Sequence, residues 1–133
     1  YKQVSTIVRA FNQLKKPLVV IGTGPELPEI RQLAQPHVQV LGAQPNDVVE
    51  KYMAQAKAFV YAAMEDFGIA IVEAQACGTP VIALGAGGAL ETVRDLYQYP
   101  DSATGIFFFE QTVDALVAAV EKFEANWVAF DSD

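Results

Sequence analysis

An α/β fold, with a parallel sheet sandwiched by helices, is predicted by two observations. Short runs of β-branched and other apolar residues recur at 18–21, 58–61, 81–84 and 106–109, as strands buried on both faces of a parallel sheet do. Between them lie stretches whose apolar positions step by three and four, the spacing of one helix face. Regular alternation of the two patterns means βαβ units.

The elements follow in order. Val4, Ile7, Val8, Ala10, Phe11 and Leu14 make one helical face, which Pro17 ends. Leu18-Val19-Val20-Ile21 reads as a strand, closed by the turn Gly22-Thr23-Gly24-Pro25. Pro28 sits in the first turn of a short helix through Leu33, a position where its missing N–H costs nothing. After Pro36, Val38 and Val40 alternate ahead of Leu41-Gly42 as a second strand, and Asn46 reads as the cap of a helix with Val48, Val49, Tyr52, Met53 and Ala56. Residues 58–61 then read as strand, 68–76 helix, 81–84 strand, 90–96 helix, 106–109 strand and 113–127 helix. The first helix has no strand ahead of it, which predicts either a missing upstream strand or a sheet that closes without one. The chain opens on Tyr1 rather than Met, and we read it as a piece of something longer.

Composition bounds the function. With 133 residues, 52% apolar and 19% charged, the chain reads as one globular domain over 1–133 and not a disordered tail. Nine bases against sixteen acids leave a net charge of −7 and no basic tract, which excludes a general nucleic-acid binder. Lys2, Arg9, Lys15 and Lys16 lie in an acid-free start, which reads as a solvated helix face. No apolar run approaches the ~20 residues of a membrane span, and nothing resembles a signal peptide, so a cytoplasmic location is expected. Cys77 and His37 are each alone of their kind, so neither a disulfide nor a soft-ligand metal site is expected. Cys77 is expected buried, and His37 on the surface.

The chemistry gathers in Met64-Glu65-Asp66-Phe67-Gly68-Ile69-Ala70-Ile71-Val72-Glu73. Two carboxylates stand just past a strand, and Phe67-Gly68 opens a helix whose first amides lack intrahelical partners. Ligands of open parallel sheets bind beyond the carboxyl ends of the strands, where the turns 22–25 and 85–88 also lie. Bland readings stand beside this one. Glu65 and Asp66 suit a helix dipole, Glu73 suits an exposed helix face, and Gly85, Gly87 and Gly88 suit a tight turn. Phe107-Phe108-Phe109 reads as strand core rather than a base-stacking platform. The turn at Gly22 has Leu27 where a dinucleotide fingerprint needs its third glycine.

The spacing from Glu65 to Glu73, with Phe67-Gly68, Cys77-Gly78-Thr79-Pro80-Val81-Ile82 and Gly87-Gly88-Ala89-Leu90-Glu91-Thr92-Val93, resembles the donor-binding half of retaining, nucleotide-sugar-dependent glycosyltransferases, the group called family 4. The likeness runs from Lys2 to Phe107. Its Glu-Asp-Phe-Gly start is similar to the branch of GDP-mannose-using mannosyltransferases. The resemblance implies a Rossmann-like domain, the C-terminal half of a GT-B enzyme that transfers a sugar to a hydroxyl in polysaccharide or glycolipid synthesis. By that likeness Glu65 is the catalytic carboxylate. With the amides of Phe67, Gly68 and Ile69 it would hold the sugar hydroxyls and phosphate, Glu73 the ribose, and Lys2 the diphosphate. Gly22, Gly24 and Leu41 would flank the base. The implied partners are a nucleotide-sugar such as GDP-mannose or a UDP-sugar and an N-terminal acceptor domain, through which peripheral membrane association would come. No cofactor or metal is implied.

Two departures bear on activity. The family's upstream Gly-Arg pair and its acceptor domain with a histidine are absent, so the chain alone is expected to be inactive in transfer, since positioning two substrates in one cleft supplies much of the barrier lowering. The alternative is a non-catalytic binding or interaction module that keeps the fold.

Overall fold

The computed structural model describes residues 4–22, 24–62, 69–86, 89–95, 103–127 and 130. Helices and strands alternate as α1 (Val4–Leu14), β1 (Leu18–Ile21), α2 (Leu27–Leu33), β2 (Val38–Gly42), α3 (Asn46–Gln55), β3 (Phe59–Tyr61), α4 (Ile69–Ala76), β4 (Val81–Leu84), α5 (Ala89–Thr92), β5 (Gly105–Phe108) and α6 (Val113–Ala125). Every strand pairing is parallel. β1 runs beside β2 with Leu18 opposite Val38 and a register shift after Val20. β4 lies between β3 and β5, with Val81 opposite Phe59 and Gly105.

Period-two alternation along β4 divides the core in two. Ile82 and Leu84 face α1 and α6, packing with Ile7, Ala10 and Phe11 of the first helix and Leu116, Ala119, Val120 and Phe123 of the last. Val81 and Ala83 face the other way, against Ala74 of α4, Ala89 of α5 and Val93. Helices thus cover both faces, the doubly wound arrangement that right-handed crossovers produce. All four residues of β4 are buried, and each large side chain so buried contributes about 1.5–3 kcal/mol. Thr112 starts α6 by accepting the Ala115 N–H at its Oγ1, 3.2 Å away, a cap worth about 1 kcal/mol.

The strands form two ladders, β1-β2 and β3-β4-β5. Leu18 and Val60 pack against one core cluster to which β2 gives no residue, so β2 is the outer strand and β1 and β3 border the break. The strand patterns at 18–21 and 58–61 predict burial on both faces, yet in β1 and β3 Val19 is exposed and the rest are half-buried. The reason is that neither has a hydrogen-bonded neighbour on the side of the break among the described residues.

Five local expectations are corrected. The helix read at 90–96 is only Ala89–Thr92. Past it the Arg94 carbonyl accepts the Thr104 N–H at 2.8 Å, Thr104 Oγ1 accepts the Arg94 N–H at 2.8 Å, and Asp95 Oδ1 accepts the Phe107 N–H at 3.0 Å. These bonds attach the chain to the edge of β5, and tertiary pairing outweighs helical continuation. Asn46 is the first helical residue rather than the cap. Pro45 holds that place in extended backbone, and its carbonyl accepts the Val48 and Val49 N–H groups. Phe109 lies one residue beyond β5 and is 72% exposed, because the strand ends before a neighbouring helix covers it. Cys77 is exposed, standing past the last turn of α4. His37 is half-buried rather than fully on the surface, its Nε2 2.9 Å from the Phe11 carbonyl oxygen at the end of α1.

Candidate functional site at the carboxyl ends of the strands

β1 and β2 end side by side. The Gly22 N–H donates to the Gly42 carbonyl at 2.8 Å, tying the two ends together. Gly22 has φ +135° and Gly42 φ +73°, conformations that residues with a Cβ rarely adopt, so glycine is required at both. From Gly24, exposed, the chain turns into α2 through the Leu27 N–H to Gly24 carbonyl bond at 3.1 Å. Leu41 is half-buried beside them, its carbonyl accepting from Gln44 Nε2 at 3.0 Å. Gly22, Gly24 and Leu41 therefore share one rim.

The rim also holds a residue that the sequence reading missed. A Cβ built on Gly42 would lie 3.3 Å from Nη2 of Arg31. Helical side chains lean toward the helix N-terminus, so Arg31, in the last turn of α2, reaches back up to the strand ends. Nothing in its sequence context marks it, since the register between α2 and β2 is a tertiary fact.

Among the described residues α4 runs from Ile69, following β3 in the chain. Glu73 follows one turn on, its exposed side chain making no hydrogen bond or ion pair to any described residue, while its carbonyl accepts the Cys77 N–H at 3.2 Å. Lys2, Glu65, Phe67 and Gly68, and the turn residues Gly87 and Gly88, lie outside the described residues. At the far side of the sheet the Gly85 N–H donates to the Phe108 carbonyl at 2.8 Å, closing the ends of β4 and β5. No helix among the described residues is long and apolar enough to cross a membrane.

Similarity to known proteins agrees with this architecture. The chain is 31% identical over 137 aligned positions to a GDP-mannose-dependent alpha-(1-6)-phosphatidylinositol monomannoside mannosyltransferase of Mycobacterium tuberculosis, covering 90% of this chain and 34% of the relative. It is 35% identical to a D-inositol 3-phosphate glycosyltransferase of Geodermatophilus obscurus over 68% of this chain and 25% of that protein. This chain thus spans about a third or less of the curated relatives it matches. Among solved structures, Anabaena HepE in complex with UDP and glucose superposes with a TM-score of 0.79 at 23% identity, over 99% of this chain and 38% of that one. A glycosyltransferase from Rickettsia africae superposes at 0.75 with 22% identity, over 98% of this chain and 39% of its own. These likenesses show the Rossmann-like fold of a GT-B half. The sequence profile described as "Glycosyl transferases group 1" matches residues 1–131, and the chain belongs to that family.

Proposed function

We propose that this chain is the nucleotide-sugar-binding domain of a retaining glycosyltransferase, one that passes a sugar, mannose from GDP-mannose in our reading, to a hydroxyl acceptor in polysaccharide or glycolipid assembly. The observation that carries the proposal is the shared rim at the carboxyl ends of parallel strands. There the Gly22–Gly42 bond ties the ends of β1 and β2 beside exposed Gly24 and half-buried Leu41. That is the address at which doubly wound sheets hold nucleotides.

In this reading the base lies against Gly22, Gly24 and Leu41, and the diphosphate is held by the opening amides of the segment Phe67, Gly68 and Ile69, with Lys2. Glu73 takes the ribose hydroxyls, and Glu65 faces the sugar. A diphosphate leaving group gains charge as the glycosidic bond breaks, so fixed donors and a cation there favour the transition state over the ground state. A second domain, across the cleft, supplies the acceptor and any membrane contact, and the bound pair needs no metal. The cytoplasm, where nucleotide-sugars are made, is the compartment we assign.

Titration of the chain with GDP, UDP and ADP, followed by backbone amide shifts, tests the reading. Saturable shifts around residues 22–24, 41–42 and 67–70 are expected. Glu73→Gln should weaken the best ligand by about 1–3 kcal/mol, the worth of charge-assisted hydrogen bonds. No saturable response to any of the three nucleotides would leave a fold-retaining interaction module as the better account.

A further inference from the structure

We infer that Arg31 reads the donor's base and selects guanine over uracil and adenine. The inference rests on the donor-site reading above and adds to it the identity of the base. Its foundation is the placement of the Arg31 guanidinium. Nη2 sits over Gly42, within 3.3 Å of where a Cβ would stand, at the rim shared by Gly22 and Leu41.

Arg31 is exposed and makes no ion pair with any described residue. Among the described residues, Lys16 and Lys57 pair with Glu124, away from α2. In a chain with nine bases against sixteen acids, a cation left unneutralised at a ligand rim is available to a ligand. Glu29, its neighbour on α2, stands two residues away and so does not share its helix face.

A guanidinium carries only donors, set in a rigid fork. Guanine presents two adjacent acceptors, O6 and N7, which accept that fork together. Adenine pairs its N7 with an N6 amino donor, and uracil pairs its O4 with the N3–H donor, so each opposes one arm of the fork. The fit is to a guanine nucleotide.

Calorimetric titration of the chain with GDP, UDP, ADP and GMP tests this, using wild type, Arg31→Lys and Arg31→Gln. Folding of the variants is checked by amide spectra, which a substitution on an exposed helix face should leave unchanged. Wild type should bind GDP about tenfold tighter than UDP or ADP, in keeping with a bidentate base contact. Both variants should lose about tenfold on GDP and on GMP, and less than about twofold on UDP, because lysine keeps the charge but not the fork. Equal losses on GDP and UDP would make Arg31 a phosphate clamp and overturn the proposal, as would unchanged GDP affinity in Arg31→Lys, or UDP binding as tightly as GDP. If wild type binds no nucleotide, the donor-site reading fails with it, a result distinct from any of these.

Discussion

The ring of Phe109 lies across the α-carbon of Gly85, so close that a methyl group there would stand 2.5 Å from Cε1 and 2.9 Å from Cδ1. Phe107 supports it edge-on, with centroids 6.2 Å apart. Gly85 has no left-handed φ, so its need for glycine comes from the space under the ring rather than from the backbone. This is an aromatic ring covering a glycine on the neighbouring strand's line, at the carboxyl ends of β4 and β5.

Because the ring is 72% exposed, it can swing aside. Gly85→Ala should therefore cost only about 1 kcal/mol in urea unfolding, and in the background of Phe109→Ala it should cost less still. Contacting residues are non-additive. Fully additive costs in the double variant would show that the ring is not what the new methyl meets.

Gly105 makes the opposite case. A Cβ there would lie 2.2 Å from the Val81 carbonyl oxygen and 2.8 Å from Val93 Cγ1, backbone and packed core that have no room to move. Gly105→Ala should destabilise by about 3 kcal/mol or more, read from the shift in urea midpoint at constant slope. A loss as small as that at Gly85 would mean β4 and β5 can spread.

Thr104 holds the chain after α5 to the sheet. Its Oγ1 accepts the Arg94 N–H at 2.8 Å and Gln75 Nε2–H at 2.9 Å. Thr104→Val keeps the shape and removes the acceptor, so about 1–3 kcal/mol should be lost, and the Arg94 amide should exchange faster with solvent. Thr104→Ser should retain most of the stability. If valine matches serine, the hydroxyl does not anchor this turn.

The borders of the break between β1 and β3 are apolar. Val19 is 39% exposed, and among the described residues neither strand carries a second hydrogen-bonded neighbour. Unprotected apolar edges pair with other chains. The 133-residue chain should self-associate with rising concentration in light scattering, and Val19→Lys should reduce this. A strictly monomeric wild type at high concentration would show that the edges are protected.

Much of the fold is legible along the chain. The runs at 18–21 and 81–84 match β1 and β4 residue for residue, and the helical face from Val4 to Leu14 matches α1, because buried strands and one-sided helices write their period directly into the order of apolar residues. The rim glycines are legible for a similar reason, since a positive φ demands glycine locally. Phe109 is misread because period alone does not tell where a strand outruns its cover. The short α5 is misread because the bonds that end it come from Thr104 and Phe107, ten and twelve residues away in sequence.

Sequence by itself determined the parallel α/β class, the elements and their order, and the glycine turns at the strand ends, all of which follow from local backbone preference and hydrophobic period. Tertiary structure alone decided that, among the described residues, β2 is the outer strand of its ladder, that Arg31 reaches Gly42, and that Phe109 covers Gly85. Each of these depends on the register between elements distant in the chain, and register is set by packing free energy summed over the whole core, which no single stretch of residues contains.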